Sequence, residues 1–162
     1  MNIAKTLAAC MLAATPVLAY AAPTASSTTY VKMAGAGDLY ERQSSTVLLQ
    51  STANPKLRSF AQMMVTDHTQ STADVKAAAL KAGVRPAPPT LTPKQSSDIA
   101  ALRAARGPAR DTLYIDQQKA AHQQALALHQ DEATNGSAPS LKAAATKIVP
   151  VVRHHIDMLA GM

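Results

Sequence analysis

The segment from Asn54 to Gly83 constrains the fold most, because its pattern predicts one long helix. Asn54 can cap the first turn, and Pro55 suits the first helical position, where its missing N–H has no cost. Gly83 can adopt the left-handed conformation that ends a helix. His68 lies at the middle of the segment, beside Asp67, within a stripe of apolar or small residues at helical spacing. This stripe contains Leu57, Phe60, Ala61, Met64, Ser71, Val75, Ala78 and Ala79.

Residues 1–21 have the pattern of a cleaved signal peptide. Lys5 gives a short basic start, and the apolar run 6–18 is too short to span a bilayer. The small-x-small sequence 19–21 predicts cleavage after Ala21, which would deliver the mature protein to the periplasm. Residues 22–29 are polar and are predicted to be a disordered tail, which leaves 30–160 as the folded domain.

A lipoprotein signal is the alternative for this N-terminus. The run Leu7-Ala8-Ala9-Cys10 fits a lipobox, which would anchor Cys10 in the outer membrane, although only about four residues separate Lys5 from Cys10. If Cys10 is removed with the signal, the mature chain has no cysteine. Disulfides, thiolate zinc sites and thiol catalysis are then excluded.

The charge pattern disfavours nucleic acid as a partner. The formal net charge is +6, but the lysines and arginines are scattered and only 3% of residues are aromatic, so a stacking platform is missing. No segment after the signal is long and apolar enough for a transmembrane span. Peripheral association with an anionic envelope surface is compatible with the basic excess, and the sequence does not identify a protein partner.

Helical patterns predict an all-α four-helix bundle with one extra short helix in the middle connector. Tight links join helices one and two and helices four and five, so each pair is expected to be an antiparallel hairpin. The longer, proline-rich middle connector allows either an up-down or a crossover topology. The predicted helices span 30–52, 54–83, 93–107, 108–135 and 139–160, with Pro150 interrupting the last.

Hairpin geometry predicts that polar residues from separate helices meet inside the bundle. Counting from the first turn places Glu41 level with Asp67 and His68, and counting from the second places His122 about 6 Å along the axis from His155. One interpretation is a buried metal site, with the three histidines as ligands and Glu41 or Asp67 as a carboxylate, suited to zinc, iron, manganese or copper. Asp67 could instead orient a ligating histidine. The other interpretation is a hydrogen-bonded polar layer that fixes helix register.

Other polar and sulfur-containing side chains carry weaker signals. His129 and Glu132 are predicted to form a surface pair, and His154 to face solvent. Methionines at helical spacing, including Met33 and Met64, are predicted to fill the core rather than to bind copper. No Ser-His-Asp pattern or phosphate-binding loop is present, so we predict neither catalytic residues nor a nucleotide site.

Several motifs resemble the bacterial domain of unknown function 4142 across about residues 30–159. They are the run 37–41 (Gly-Asp-Leu-Tyr-Glu), Asn-Pro at 54–55 with the run 60–68 ending in Met-Val-Thr-Asp-His, Tyr114 with His122, and Val-Pro at 149–150 followed by His155. The resemblance implies a ferritin-like four-helix bundle that is exported and sometimes labelled an outer-membrane protein. It also singles out the family's polar positions, which are Glu41, Asp67, His68, His122 and His155.

The resemblance implies no settled biochemical role. True ferritins use Glu-x-x-His on two helices of their di-iron site, and this chain contains no such sequence, which argues against ferroxidase activity. We therefore predict an exported, non-enzymatic binding or stress-related bundle. The alternative prediction is a metal-binding bundle, with or without redox activity, that uses the interior histidines.

Overall fold

A computed structural model of the protein describes residues 26–162, and within them every regular element is an α-helix. The predicted signal peptide, the lipobox cysteine and residues 22–25 lie outside the described residues. Four long helices form the bundle, and a short one lies in the connector between its halves. The helices are α1 (Ser27–Leu49), α2 (Pro55–Lys81), α3 (Pro93–Ala104), α4 (Gly107–Asn135) and α5 (Pro139–Ala160).

Local capping explains where α1, α2 and α3 begin and where α2 ends. The Asn54 side chain accepts hydrogen bonds from the first-turn N–H groups of α2, and Gly83 has a φ of 73° just beyond its end. Thr92 and Gln95 form the predicted capping box of α3. The prediction that α1 begins at Tyr30 was wrong by three residues, because the Ser26 side chain caps the helix and draws 27–29 into its first turn.

The topology is a crossover rather than a simple up-down arrangement. Side-chain bonds pair Ser45 with Tyr114 and Tyr30 with His129, so α1 and α4 are antiparallel neighbours. Equivalent bonds make α2 and α5 antiparallel. Because α2 is also antiparallel to α1, α2 and α4 run in the same direction. The connector 82–106 must therefore return along the full height of the bundle, which is roughly 40 Å for a helix of 27 residues.

The core is built from the stripe that the sequence of α2 predicts, all of whose members are buried. Leu57, Phe60 and Met64 belong to one apolar cluster, and Val75, Ala78 and Ala79 belong to a second. Met33 was wrongly predicted as core, because it lies off the buried face of α1 and is 52% exposed. Within residues 26–162, no helix combines the length and apolar character needed to cross a bilayer.

Candidate metal centre

Three imidazoles from three different helices converge in the middle of the bundle. His68 is on α2, His122 on α4 and His155 on α5, and one ring nitrogen of each lies within 4.8 Å of the others. The ring centroids are 5.3–5.7 Å apart, and all three side chains are buried. The structure therefore brings together His68, His122 and His155, the three histidines predicted to meet inside the bundle.

The outer nitrogen of each ring is held by an oxygen acceptor. His68 Nδ1 lies 2.8 Å from Asp38 Oδ1, and His155 Nε2 lies 2.9 Å from Asp67 Oδ2. His122 Nδ1 lies 2.9 Å from the Gln118 backbone carbonyl oxygen. A carbonyl or carboxylate oxygen only accepts, so each of these ring nitrogens carries the proton and donates it. A histidine that binds a metal is commonly oriented in this way.

These bonds leave the lone pairs of the remaining nitrogens facing one another. His122 Nε2 lies 3.3 Å from His155 Nδ1, and His68 Nε2 has no hydrogen-bond partner among the described residues. In the neutral tautomers set by the outer bonds, none of the three inner nitrogens can donate to another. A shared cation would satisfy these lone pairs, and it could be a metal ion or a proton carried by His68.

The spacing is compatible with one bound ion. Two nitrogens that bind one ion tetrahedrally at about 2.0–2.1 Å lie roughly 3.3–3.4 Å apart. The separation between His122 Nε2 and His155 Nδ1 has this value. Bringing His68 Nε2 to the same ion requires a side-chain shift on the order of 1 Å from the present spacing. The residues present thus fit a three-imidazole site.

Electrostatics keep two of the imidazoles in the neutral form that a metal requires. Burial lowers the pKa of His122 to about 3, and the charges of His68 and His155 act in the same direction. Burial also lowers the pKa of His155 to about 4, against the effect of its hydrogen bond to Asp67. Burial alone would lower the pKa of His68, but Asp38 and Glu41 together raise it above its usual value. Metal binding at His68 therefore competes with a proton.

The two predicted carboxylates lie outside the ring of inner nitrogens. Asp67 accepts a hydrogen bond from the outer nitrogen of His155, which is the orienting role considered as one alternative. Glu41 Oε1 is 3.8 Å from His122 Nδ1, not from the nitrogen that faces His155. Its Oε2 is buried without a hydrogen-bond partner among the described residues, and burial raises the pKa of this carboxyl to about 7.

Sequence reasoning missed Asp38, the carboxylate that orients His68. Asp38 is buried, and its second oxygen accepts a hydrogen bond from Thr72 Oγ1 at 3.0 Å. The sequence contained a signal for this role, since Asp38 lies one helical turn before Glu41 on the same face of α1. Asp38 and Glu41 are three residues apart, which is about 4.5 Å along the axis of α1. At this separation Asp38 contacts His68, whereas Glu41 lies closer to His122.

The prediction that His129 and Glu132 form a surface pair was wrong. Both side chains are buried, with exposed fractions of 4%. His129 Nδ1 lies 3.0 Å from the hydroxyl oxygen of Tyr30 on α1, an interaction that depends on α1 and α4 being neighbours. His154, by contrast, is exposed, as predicted.

A small cavity reaches the site from the surface between α2 and α5. Its volume is about 180 Å³, and its lining includes His68, His155 and Asp67. Asp67 is one-third exposed at this point. The cavity gives an ion a route to two of the three imidazoles without unfolding of the bundle.

The sequence profile of a domain of unknown function, DUF4142, matches residues 12–162. The chain belongs to the DUF4142 family. Among curated proteins, none matches the chain. The family assignment agrees with the motifs quoted above and with the observed bundle.

Solved structures share the fold of this DUF4142 chain at low sequence identity. CopM in the Cu(I)-bound form is 19% identical with a TM-score of 0.71, covering 84% of this chain and 94% of that one. CopM in the Ag-bound form is 18% identical with a TM-score of 0.68, covering 84% and 93%. A DUF305 fragment from Deinococcus radiodurans is 17% identical with a TM-score of 0.72, covering 86% and 97%. At these identities the likeness concerns the bundle fold.

Proposed function

We propose that this protein binds one copper ion through His68 Nε2, His122 Nε2 and His155 Nδ1. The observation that carries the proposal is the inward orientation of three imidazole lone pairs, each set by an outer hydrogen bond. The ion would draw these nitrogens together and remove the mutual repulsion of their lone pairs. The chain's own contribution is to hold the three rings in place and to keep His122 and His155 neutral.

The ligand set favours copper or zinc over harder ions. Three neutral imidazoles without an inward carboxylate suit soft or borderline metals, whereas magnesium, calcium and manganese prefer oxygen. Copper is further supported by the fold shared with CopM, whose solved forms include one bound to Cu(I) and one bound to Cu(II).

Two measurements test the proposed function: elemental analysis gives the number of metal ions per chain, and competition titration gives their affinity. The protein is purified without a histidine tag and without chelator, then equilibrated separately with copper and with zinc, each in the presence of a competing chromophoric ligand. We expect one equivalent of metal per chain, with copper held more tightly than zinc. Zinc held more tightly than copper would assign the site to zinc, and the absence of any stoichiometric metal would overturn the proposal.

Replacing Asp38 by Asn is expected to weaken copper binding by about 10–100-fold. The amide can turn its NH₂ group toward His68 Nδ1, which would favour the tautomer whose proton sits on the inward nitrogen. The control is Asp116→Asn, which removes the same charge from an exposed position on α4. Affinities are measured by competition with a chromophoric copper ligand. Equal affinities for the two variants would remove Asp38 from the proposed site.

We also propose that the protein acts in the periplasm after removal of residues 1–21. The support is the basic start, the short apolar run and the small-x-small sequence at 19–21. Mass spectrometry of the protein from a periplasmic extract is expected to find an N-terminus at Ala22. A lipid-modified N-terminus at Cys10 in the membrane fraction would establish the lipoprotein alternative instead.

A further inference from the structure

A second and larger cavity lies beside the metal centre, between α1, α2 and the proline-rich connector. Its volume is about 550 Å³, which is within the usual range for a small-molecule site. Its walls are mainly apolar and include Val31, Val75 and Val84 together with prolines of the connector. None of the three proposed copper ligands lines this space, although Asp38, which orients His68, forms part of its wall.

The connector holds the cavity open. Pro86, Pro88 and Pro89 line it, and the fixed φ of proline stiffens this extended segment. The segment is anchored against α1 at Gly35, where an added Cβ would lie only 3.3 Å from the Pro89 side chain. A backbone stiffened in this way cannot easily collapse onto the helices, so the cavity is preformed and a ligand can enter it at little conformational cost.

Three cationic side chains line the same cavity. Lys32 is on α1, Lys76 on α2 and Arg85 on the connector, and all three are exposed. Within residues 26–162, none of them forms an ion pair with a carboxylate. The one acidic residue of the lining, Asp38, is buried and engaged by His68 and Thr72. The exposed part of the cavity is therefore positive and its walls are apolar.

We infer that this cavity binds a single-chain amphipathic anion, such as a fatty acid. The apolar chain lies against the valines and prolines, and the anionic head group stays at the exposed side near Lys32, Lys76 and Arg85. The reverse orientation would place the head group next to the Asp38 carboxylate and is disfavoured by charge. The inference does not depend on copper binding, because none of the three cations belongs to the metal centre.

Calorimetric titration with dodecanoate, below its micelle concentration, tests the inference on the metal-free protein in chelator. We expect saturation at one dodecanoate per chain. Dodecyltrimethylammonium, which has the same chain and the opposite charge, should bind at least about tenfold more weakly. Equal binding of the two amphiphiles, or uptake without saturation, would overturn the inference.

Two sets of variants locate the binding. Replacing Lys32, Lys76 and Arg85 together by Gln should weaken dodecanoate binding roughly tenfold, because three exposed charge contacts are lost. The matched control replaces the exposed residues Lys81, Lys119 and Arg153 by Gln and should change affinity less than about twofold. Equal loss in both sets would show a nonspecific charge effect and contradict the inference.

A blocking variant provides a readout that does not depend on charge. Val84→Trp places a large ring in the cavity from the connector, outside the helices, and should abolish saturable dodecanoate binding. Circular dichroism verifies that the variant keeps the helix content of the wild type. Unchanged binding by a folded Val84→Trp protein would exclude this cavity. Failure of copper binding with successful dodecanoate binding would refute only the proposed function.

Discussion

Replacing His122 by Phe is expected to reduce copper affinity by more than about 100-fold. His122 is fully buried and its Nε2 faces the other two imidazoles, so the variant removes one of only three proposed ligands. The loss should exceed the 10–100-fold typical of residues that merely orient a ligand. Phenylalanine is chosen because it keeps a ring of similar size beside Phe60, whereas alanine would leave a cavity.

Two control variants separate loss of a ligand from loss of any histidine. His154→Ala removes an exposed imidazole next to His155, and His129→Gln removes a buried one that bonds Tyr30 instead. Both proteins should bind one copper ion with affinity close to that of the wild type, as measured with a competing chromophoric ligand. Copper affinity that falls equally in all three variants, or in none, would contradict the assignment of His122.

Acid should destabilise the metal-free protein by several kcal/mol between about pH 7 and pH 4.5. Burial lowers the pKa of His122 to about 3 and those of His129 and His155 to about 4. The unfolded chain takes up protons at these histidines near pH 6.5, well before the folded protein does. The free energy of unfolding therefore falls as pH decreases through this window, and each such histidine contributes about 1.4 kcal/mol per pH unit.

Two groups act in the opposite direction but do not cancel the effect. Burial raises the pKa of Glu41 to about 7, so the folded state takes up this proton before the unfolded state does, and that stability is lost as pH rises through 7. The pKa of His68 is also raised, through Asp38 and Glu41 against the effect of burial. The three histidines with lowered pKa outweigh these two groups, and the net change with decreasing pH is destabilising.

His129→Gln isolates one of the contributions to acid destabilisation. The charged groups acting on His129 are Asp38, which raises its pKa, and His68, which lowers it, while burial has the largest effect. Without this imidazole, the loss of stability between pH 7 and pH 4.5 should shrink by up to about 3 kcal/mol. Urea unfolding at both pH values, in chelator, measures this difference. An exposed control, His154→Gln, should leave the pH dependence unchanged, and an equal slope in all three proteins would contradict the account.

The positions of the helices and their buried faces can be predicted from local sequence patterns, but the order in which the helices pack cannot. Asn54 and Gly83 mark the ends of α2, and its stripe of apolar residues predicts the face that the structure buries. The connector was long enough for either topology, so only packing between helices far apart in sequence selects the crossover. The first turn of α1 was missed because a Ser/Thr-rich sequence is typical both of disordered tails and of helix caps.

The histidine cluster was predictable because register within the second hairpin brings His122 level with His155, and His68 lies near the middle of α2. Tight turns fix which residues are level, and His68, His122 and His155 each lie on the inward face of a helix. The residues that orient the histidines were harder to predict. Choosing Asp38 rather than Glu41 requires knowing how α1 is turned about its own axis. The burial of His129 was not predictable without the topology, because its partner Tyr30 lies on α1, which is 99 residues distant in sequence.

X-ray absorption spectroscopy of the protein loaded with one equivalent of copper tests the central claim most directly. We predict a first shell that contains three imidazole nitrogens near about 2.0 Å, recognisable by scattering from the outer ring atoms. The His122→Phe protein should not retain this signal. A first shell without imidazole scattering, or an unchanged spectrum in the His122→Phe protein, would show that copper is not held where the three rings meet.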